Sequence, residues 1–204
     1  GHAEELVAKA IEGFERDKFF ITTKVSGDHL SYENVIKSAE ASLRRLKTDY
    51  VDLYLIHWPN HRIKMENTMK AMDFLVKEGL VKSIGVSNFS VPDMKEAQKN
   101  SENKIMANQI EYNLLTRNSG QFTDKMESEI IPFCQKNNIM ITAYRPTAFG
   151  RIIKIKSDVL DDICKKYSKT RVQIAINWLI SKSGIITISK SSSIEHLKEI
   201  RESI

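Results

Sequence analysis

The chain has 204 residues, 41% hydrophobic and 28% charged, a balance that supports a substantial buried core in one expected domain spanning 1–204. Its formal charge of +5 is spread thinly, with lysines mixed among acids on helix faces. That reads as solvated surface rather than a nucleic-acid patch, and it suits a phosphate-bearing small ligand equally well. No apolar run approaches the roughly 20 residues needed to span a bilayer and no signal peptide opens the chain, so a cytoplasmic protein without a membrane partner is expected.

From His2 to Phe14, apolar residues at Leu6, Val7, Ala10, Ile11 and Phe14 follow helical spacing. Phe19 to Val25 reads as a buried strand with Lys24 near its exit. A helix from Tyr32 to Lys47 buries Val35, Ala39, Leu43 and Leu46, and leads to the short β-favouring run from Val51, which Pro59 stops. His57 stands at the carboxyl end of that strand. Met65 to Glu78 is amphipathic and ends at Gly79 as a C-cap; the strand Ser83 to Val86 follows, with Ser87 and Asn88 at its exit. Ser90 caps the next helix. Ile105 to Asn113 reads as a strand that carries Asn108, Gln109 and Glu111 among apolar positions.

The second half repeats the alternation. A helix from Asp124 to Asn137 precedes the strand Ile139 to Tyr144, ended by Arg145-Pro146. Helices Ser157 to Tyr167 and Thr170 to Ser181 precede the strand Ile185 to Ser189, and Lys190-Ser191-Ser192-Ser193 leads into a last helical segment from Ile194. The two cysteines, Cys134 and Cys164, lie on apolar helix faces and belong to no CxxC or Cys/His cluster. They read as core thiols, and no metal site is expected.

Six strands, each followed by a helix, imply a parallel sheet with right-handed crossovers. A closed barrel of this type needs eight such units in roughly 250 residues, whereas an open doubly wound sheet can stop at six. Unit count leans to the open sheet; the polar residues argue for the barrel. Lys24, His57, Ser87, Asn88, Gln109 and Tyr144 fall at or near the ends of different strands, as a ring of barrel loops arranges them, and no GxGxxG stands at a first turn.

Each of these residues also has a plainer reading. A strand-end Lys is commonly a solvated terminus, a lone His after an apolar run a satisfied core group, and Ser87-Asn88 a turn with a cap. Gln109 is harder to dismiss, because a buried amide needs partners. At Lys190 to Ser193, backbone N–H groups, hydroxyls and a cation converge as a phosphate requires; capping by Ser193 is the alternative.

Four segments taken together resemble the aldo-keto reductases of the short prokaryotic type: Asp52 to Pro59 (DLYLIHWP), Gly85 to Phe89 (GVSNF), Gln109 to Asn113 (QIEYN) and Ala143 to Pro146 (AYRP). The likeness runs in order along essentially the whole chain. It implies a (β/α)8 TIM-type barrel, incomplete here and covering the third to eighth βα units, that binds NADPH in an extended form and reduces aldehydes or ketones by hydride transfer. Of the family's four catalytic residues, Lys24 and His57 match the Lys and the His. The Tyr and Asp belong to the second strand and its exit, before His2, so the chain as read is expected to lack activity alone. It is also expected to stop before the C-terminal loop that shapes the substrate pocket.

The resemblance further assigns Ser87, Asn88 and Gln109 to the nicotinamide carboxamide and Tyr144 to stacking on the nicotinamide ring. Lys190 and Ser191 match the grip on the adenosine 2′-phosphate, and Glu199 the adenine contact. His196 stands where Arg is usual and Ile200 where Asn is usual, which weakens the phosphate grip and leaves NADH possible as a cofactor. Arg145 replaces a commoner Ser and is placed to reach the pyrophosphate. The expected partner is a small carbonyl substrate. Two rivals are a non-catalytic NADP(H)-binding module acting as a redox-responsive interaction protein, and a metal-dependent hydrolase, which would need more ligands than His57.

Overall fold

A computed structural model describes residues 1–120 and 123–203. The chain divides into two compact units, Gly1–Ala107 and Asn108–Ile204. Strand β4 (Ile105–Glu111) runs through the boundary.

In the first unit, β1 (Thr22–Val25), β2 (Leu53–Ile56) and β3 (Ile84–Ser87) are parallel neighbours in chain order. Helices α1 (His2–Ala10), α2 (Tyr32–Leu46), α3 (Met65–Lys77) and α4 (Val91–Lys99) alternate with them. Val35, Ala39, Leu43 and Leu46 put one stripe of α2 in the core, with Ser31 capping its start and Lys47 ending it in the left-handed region. All four residues of β2 are buried, as expected of a parallel strand covered on both faces. Ser90 and Asp93 close a capping box at α4, with Pro92 in its first turn.

At the entry end of β2, Asp52 Oδ2 accepts from the Ile21 amide at 2.9 Å and from Arg16 Nη2 at 2.7 Å. Arg16 also donates to the Tyr50 and Phe19 carbonyls and to Thr48 Oγ1. This one guanidinium pins the approach to β1 against the approach to β2.

The second unit contains β5 (Met140–Tyr144) paired in parallel with β6 (Ile185–Ile188), and helices α5 (Ile131–Lys136), α6 (Arg151–Lys154), α7 (Asp158–Tyr167), α8 (Arg171–Ile180) and α9 (Ile194–Arg201). Ile152, Leu160 and Ala175 make one buried cluster beneath α6, α7 and α8. Cys134 is fully buried, and burial pushes its thiol up to about 12, while Cys164 packs against that cluster. Both fill apolar space.

Three elements differ from the sequence expectation for local reasons. The first helix ends at Ala10, because Gly13 takes φ +86° and breaks the spiral before Phe14. The segment read as one helix from Asp124 opens instead with a π-turn, Met126–Ile130, ahead of α5. Pro132 has no N–H for the preceding turn, and the Ile130 amide bonds back to the Lys125 carbonyl. The short α6 was not expected at all; it starts from Gly150 in a left-handed conformation and buries a single residue, Ile152.

Candidate functional site

The β1–β2 register pairs Lys24 with Leu55, so their side chains share one face of the sheet. His57 lies two residues beyond Leu55 on that same face, and its amide bonds to the Val25 carbonyl at 2.9 Å. The β2–β3 register pairs Leu55 with Gly85, which puts Ser87 on this face as well. Lys24, His57 and Ser87 therefore emerge side by side at the carboxyl ends of three adjacent strands. Below them Leu53, Leu55 and Ala107 form an apolar floor.

Electrostatics couple the first two. Burial pushes Lys24 below the ordinary ammonium range. Burial, and then the charge of Lys24, holds His57 below the usual imidazole value, so His57 is neutral at pH 7. The Trp58 ring stacks on the imidazole with centroids 4.9 Å apart. Gly27 lies so close to Trp58 that a Cβ there would sit 3.0 Å from the Trp58 carbonyl oxygen.

Asn88 takes φ +60°, a conformation Asn tolerates better than most residues. Its Nδ2 donates to the His57 carbonyl at 3.2 Å and to Ser87 Oγ at 3.1 Å. The amide thus ties two strand exits together and turns the chain toward Ser90 and α4.

In the second unit Gln109, Glu111 and Asn113 are all buried. The Glu111 carboxylate receives Arg145 Nη1 at 3.0 Å, and the Asn113 amide donates to the Arg145 carbonyl at 3.0 Å. The Arg145 guanidinium lies 4.0 Å from the Phe149 ring centroid and 5.4 Å from that of Tyr144. Burial, then Glu111, pushes the Tyr144 phenol up to about 12 against the pull of Arg145. Tyr144 is thereby a neutral aromatic face rather than an acid near neutrality. A cavity of about 370 Å³ brings Tyr144, Arg145 and Phe149 together with Lys190 and Ile200.

The remaining expected residues lie just before α9, on its first turn or, for Glu199, in its last turn. Ser193 is its N-cap, so the capping alternative for that hydroxyl holds. Ser191 Oγ accepts from the Ser193 amide at 3.1 Å and shapes the turn. His196 is exposed on the first turn, and Glu199 accepts from Thr170 Oγ1 at 2.5 Å. Lys190 and His196 are brought to the same loop-helix junction, with Lys190 alone of the two lining the cavity. Sequence reasoning noted Glu111 within its strand but gave no site role to it, to Phe149 or to Trp58. A charged residue inside an otherwise buried strand was the signal for Glu111; Phe149 had none. Among the described residues no group of His, Cys, Asp and Glu could hold a metal ion, and no helix is long and apolar enough to cross a membrane.

Parallel strands alternating with helices, and polar side chains gathered where strands end, define an α/β protein of the β/α-barrel class. Comparison with known proteins narrows this: the model of the aldo/keto reductase family matches residues 1–204, and the chain belongs to that family. It is 34% identical over 203 residues to methylglyoxal reductase YeaE of Escherichia coli K12, covering 98% of this chain and 68% of that protein. A crystal structure of the thermostable aldo-keto reductase Tm1743, in complex with the inhibitor epalrestat, superposes with a TM-score of 0.89 at 38% identity over 100% of this chain and 72% of its own. An aldo/keto reductase from Klebsiella pneumoniae, in complex with NADP and acetate, gives a TM-score of 0.88 at 32% identity, covering 98% and 69%. Across the first three curated relatives the chain spans 68%, 62% and 60% of their length. The fold is accordingly of the (β/α)8-barrel type, incomplete in this chain, with six strands among the described residues against eight in a closed barrel.

Proposed function

We propose that this chain carries the cofactor site and part of the catalytic site of an NADPH-dependent reductase that converts small aldehydes or ketones to alcohols. The observation that carries this reading is the placement of Lys24 and His57 on one face at adjacent strand exits, close enough for the ammonium to depress the imidazole. A neutral imidazole can donate a hydrogen bond to a carbonyl oxygen and steady the charge that develops there. A partly buried ammonium favours the phenolate of a neighbouring Tyr and so makes that phenol a better acid.

The family's Tyr and Asp are proposed to come from residues preceding His2. NADPH, when bound, supplies the hydride.

The second-unit cavity fits a dinucleotide by its donors. Tyr144 offers a flat face, Arg145 and Lys190 offer cations, and no carboxylate is among its described lining residues. In this reading Ser87, Asn88 and Gln109 hold the carboxamide, and Lys190, Ser191 and His196 hold the 2′-phosphate. Glu199 meets the adenine, and the chain functions as one barrel domain in the cytoplasm.

A reduced dicarbonyl appears in the name of the Escherichia coli relative, so methylglyoxal is the first substrate to assay. Methylglyoxal-dependent NADPH oxidation should fall by about 100-fold in kcat/KM for His57→Gln, the scale of one lost oxyanion donor. In a protein that joins this chain to the proposed Tyr and Asp, a parent without turnover, or a His57→Gln variant as fast as the parent, overturns the reading.

A further inference from the structure

An imidazole that donates to a carbonyl oxygen has to aim its N–H, yet its ring torsion is of the broad, two-fold kind that local sterics leave loose. The backbone of His57 is fixed: its amide donates to the Val25 carbonyl at 2.9 Å, and its carbonyl accepts from Asn88 Nδ2 at 3.2 Å. A different contact braces the ring. Trp58 stacks on it with centroids 4.9 Å apart and planes inclined by 26°.

What holds Trp58 lies on the β1 side. Asn60, two residues further on, donates from Nδ2 to the Gly27 carbonyl at 2.8 Å and accepts the Arg62 amide on Oδ1 at 3.1 Å. The Ile63 amide closes this turn on the Asn60 carbonyl at 3.1 Å. One side-chain amide therefore ties the exit loop of β1 to that of β2. Thr68 adds a second tie from α3, donating to the Leu30 carbonyl at 2.7 Å. The two loops touch at Gly27, where a Cβ would sit 3.0 Å from the Trp58 carbonyl oxygen and 3.1 Å from Trp58 Cβ. A glycine lets the Trp58 backbone approach, and Asn60 keeps it there.

We propose that Asn60 and Gly27 form a latch that positions His57 through Trp58, fixing the indole against the imidazole before a substrate arrives. This rests on the reading of His57 as the hydrogen-bond donor to the substrate carbonyl. Both latch residues are positioning residues. They set the direction of a donor, and a hydrogen bond weakens steeply once its angle departs from linear.

The test uses a protein that joins this chain to the proposed Tyr and Asp. It measures methylglyoxal-dependent NADPH oxidation beside the NMR signals of the His57 ring protons. An indole stacked on an imidazole shields those protons, so their shifts report the stack itself. Asn60→Ala is expected to lower kcat about tenfold with KM within about twofold, less than the loss in His57→Gln because the donor is turned rather than removed. The His57 ring protons should lose shielding in the same variant. Gly27→Ala acts from the other loop, by pushing the Trp58 backbone away, and should move both readouts in the same direction. Trp58→Phe, which keeps a flat aromatic face, should lie between the parent and Asn60→Ala. In a His57→Gln background, Asn60→Ala should lower kcat no further.

A folded Asn60→Ala or Gly27→Ala protein in which either kcat or the ring shifts stay at the parent's values overturns the latch, even where the melting temperature falls. A loss in kcat that persists in the His57→Gln background overturns the route through His57. A joined parent protein without turnover overturns the reductase reading, and the positioning of His57 for that reaction with it. Turnover in the parent, with parent kinetics in both latch variants, removes the latch alone.

Discussion

Gly85 should be intolerant of a single added methyl. It lies on the face shared by Lys24, Leu55 and His57, between β2 and β4. A Cβ built there sits 2.6 Å from Leu55 Cδ2, 2.8 Å from the Ala107 carbonyl oxygen and 3.3 Å from the Ala107 nitrogen. The leucine methyl can swing away by a rotamer change. The carbonyl belongs to β4 and moves only if β4 moves.

Overpacking of this sort costs about 1–3 kcal/mol. With a backbone atom among the contacts, about 2 kcal/mol is the working value, or roughly 4–8 °C in melting temperature at this chain length. Gly85→Ala is therefore expected to melt that much lower and, because Ser87 and Asn88 follow two and three residues later, to bind NADP+ more weakly. Leu55→Val deletes Cδ2 and should restore only part of the loss, since the contact with Ala107 stays. Thermal melts of parent, single and double variants decide it. A Gly85→Ala protein that melts within a degree of the parent, or full recovery in the double variant, refutes the role given to the β4 backbone.

Asp52→Asn should lower stability at pH 7 by roughly 2 kcal/mol, the worth of hydrogen bonds to a charged group, as read from urea midpoints. Burial opposes the Asp52 charge, but the Ile21 amide, Arg16 and Lys82 outweigh it and hold the carboxyl below 3.8. Its stabilisation is thus present above that value and is lost as pH falls through the depressed one; the variant's acid unfolding should be less steep, and identical acid curves would refute this. Asn88→Ala should be about 1 kcal/mol less stable than Asn88→Gly, since only alanine keeps the left-handed penalty; the reverse order would remove backbone strain as the reason for Asn88. The imidazole of His57, followed by NMR, should titrate below 6.5 and rise toward it in Lys24→Met, whereas an unmoved titration would separate the two residues.

The strand exits were legible because burial and polarity change together there. A short β-favouring run ended by Pro59 placed His57, and the alternation of β1 and β2 then put Lys24 beside it. What escaped was set by contacts distant in sequence or by backbone conformation. Glu111 and Arg145 are 34 positions apart, and nothing in either stretch alone announces their pairing. The short α6 buries only Ile152, too little for periodicity to register. The π-turn before α5 comes from Pro132, which an apolar-spacing pattern passes over. For Ser191 and Glu199 the sequence supplied chemistry but not occupancy: the hydroxyl shapes a turn, and the carboxylate is tied to Thr170.

The reading of this chain as part of a carbonyl reductase is tested most directly by following the transferred hydrogen. A protein that joins this chain to the proposed Tyr and Asp is incubated with methylglyoxal and NADPH deuterated at the transferring carbon, and the alcohol product is analysed by mass spectrometry. Deuterium on the new carbinol carbon, with yield cut sharply by His57→Gln and Lys24→Met, is the expected result. Product without deuterium, or labelled product formed equally well by both variants, would contradict the assignment of Lys24 and His57 to the reacting centre.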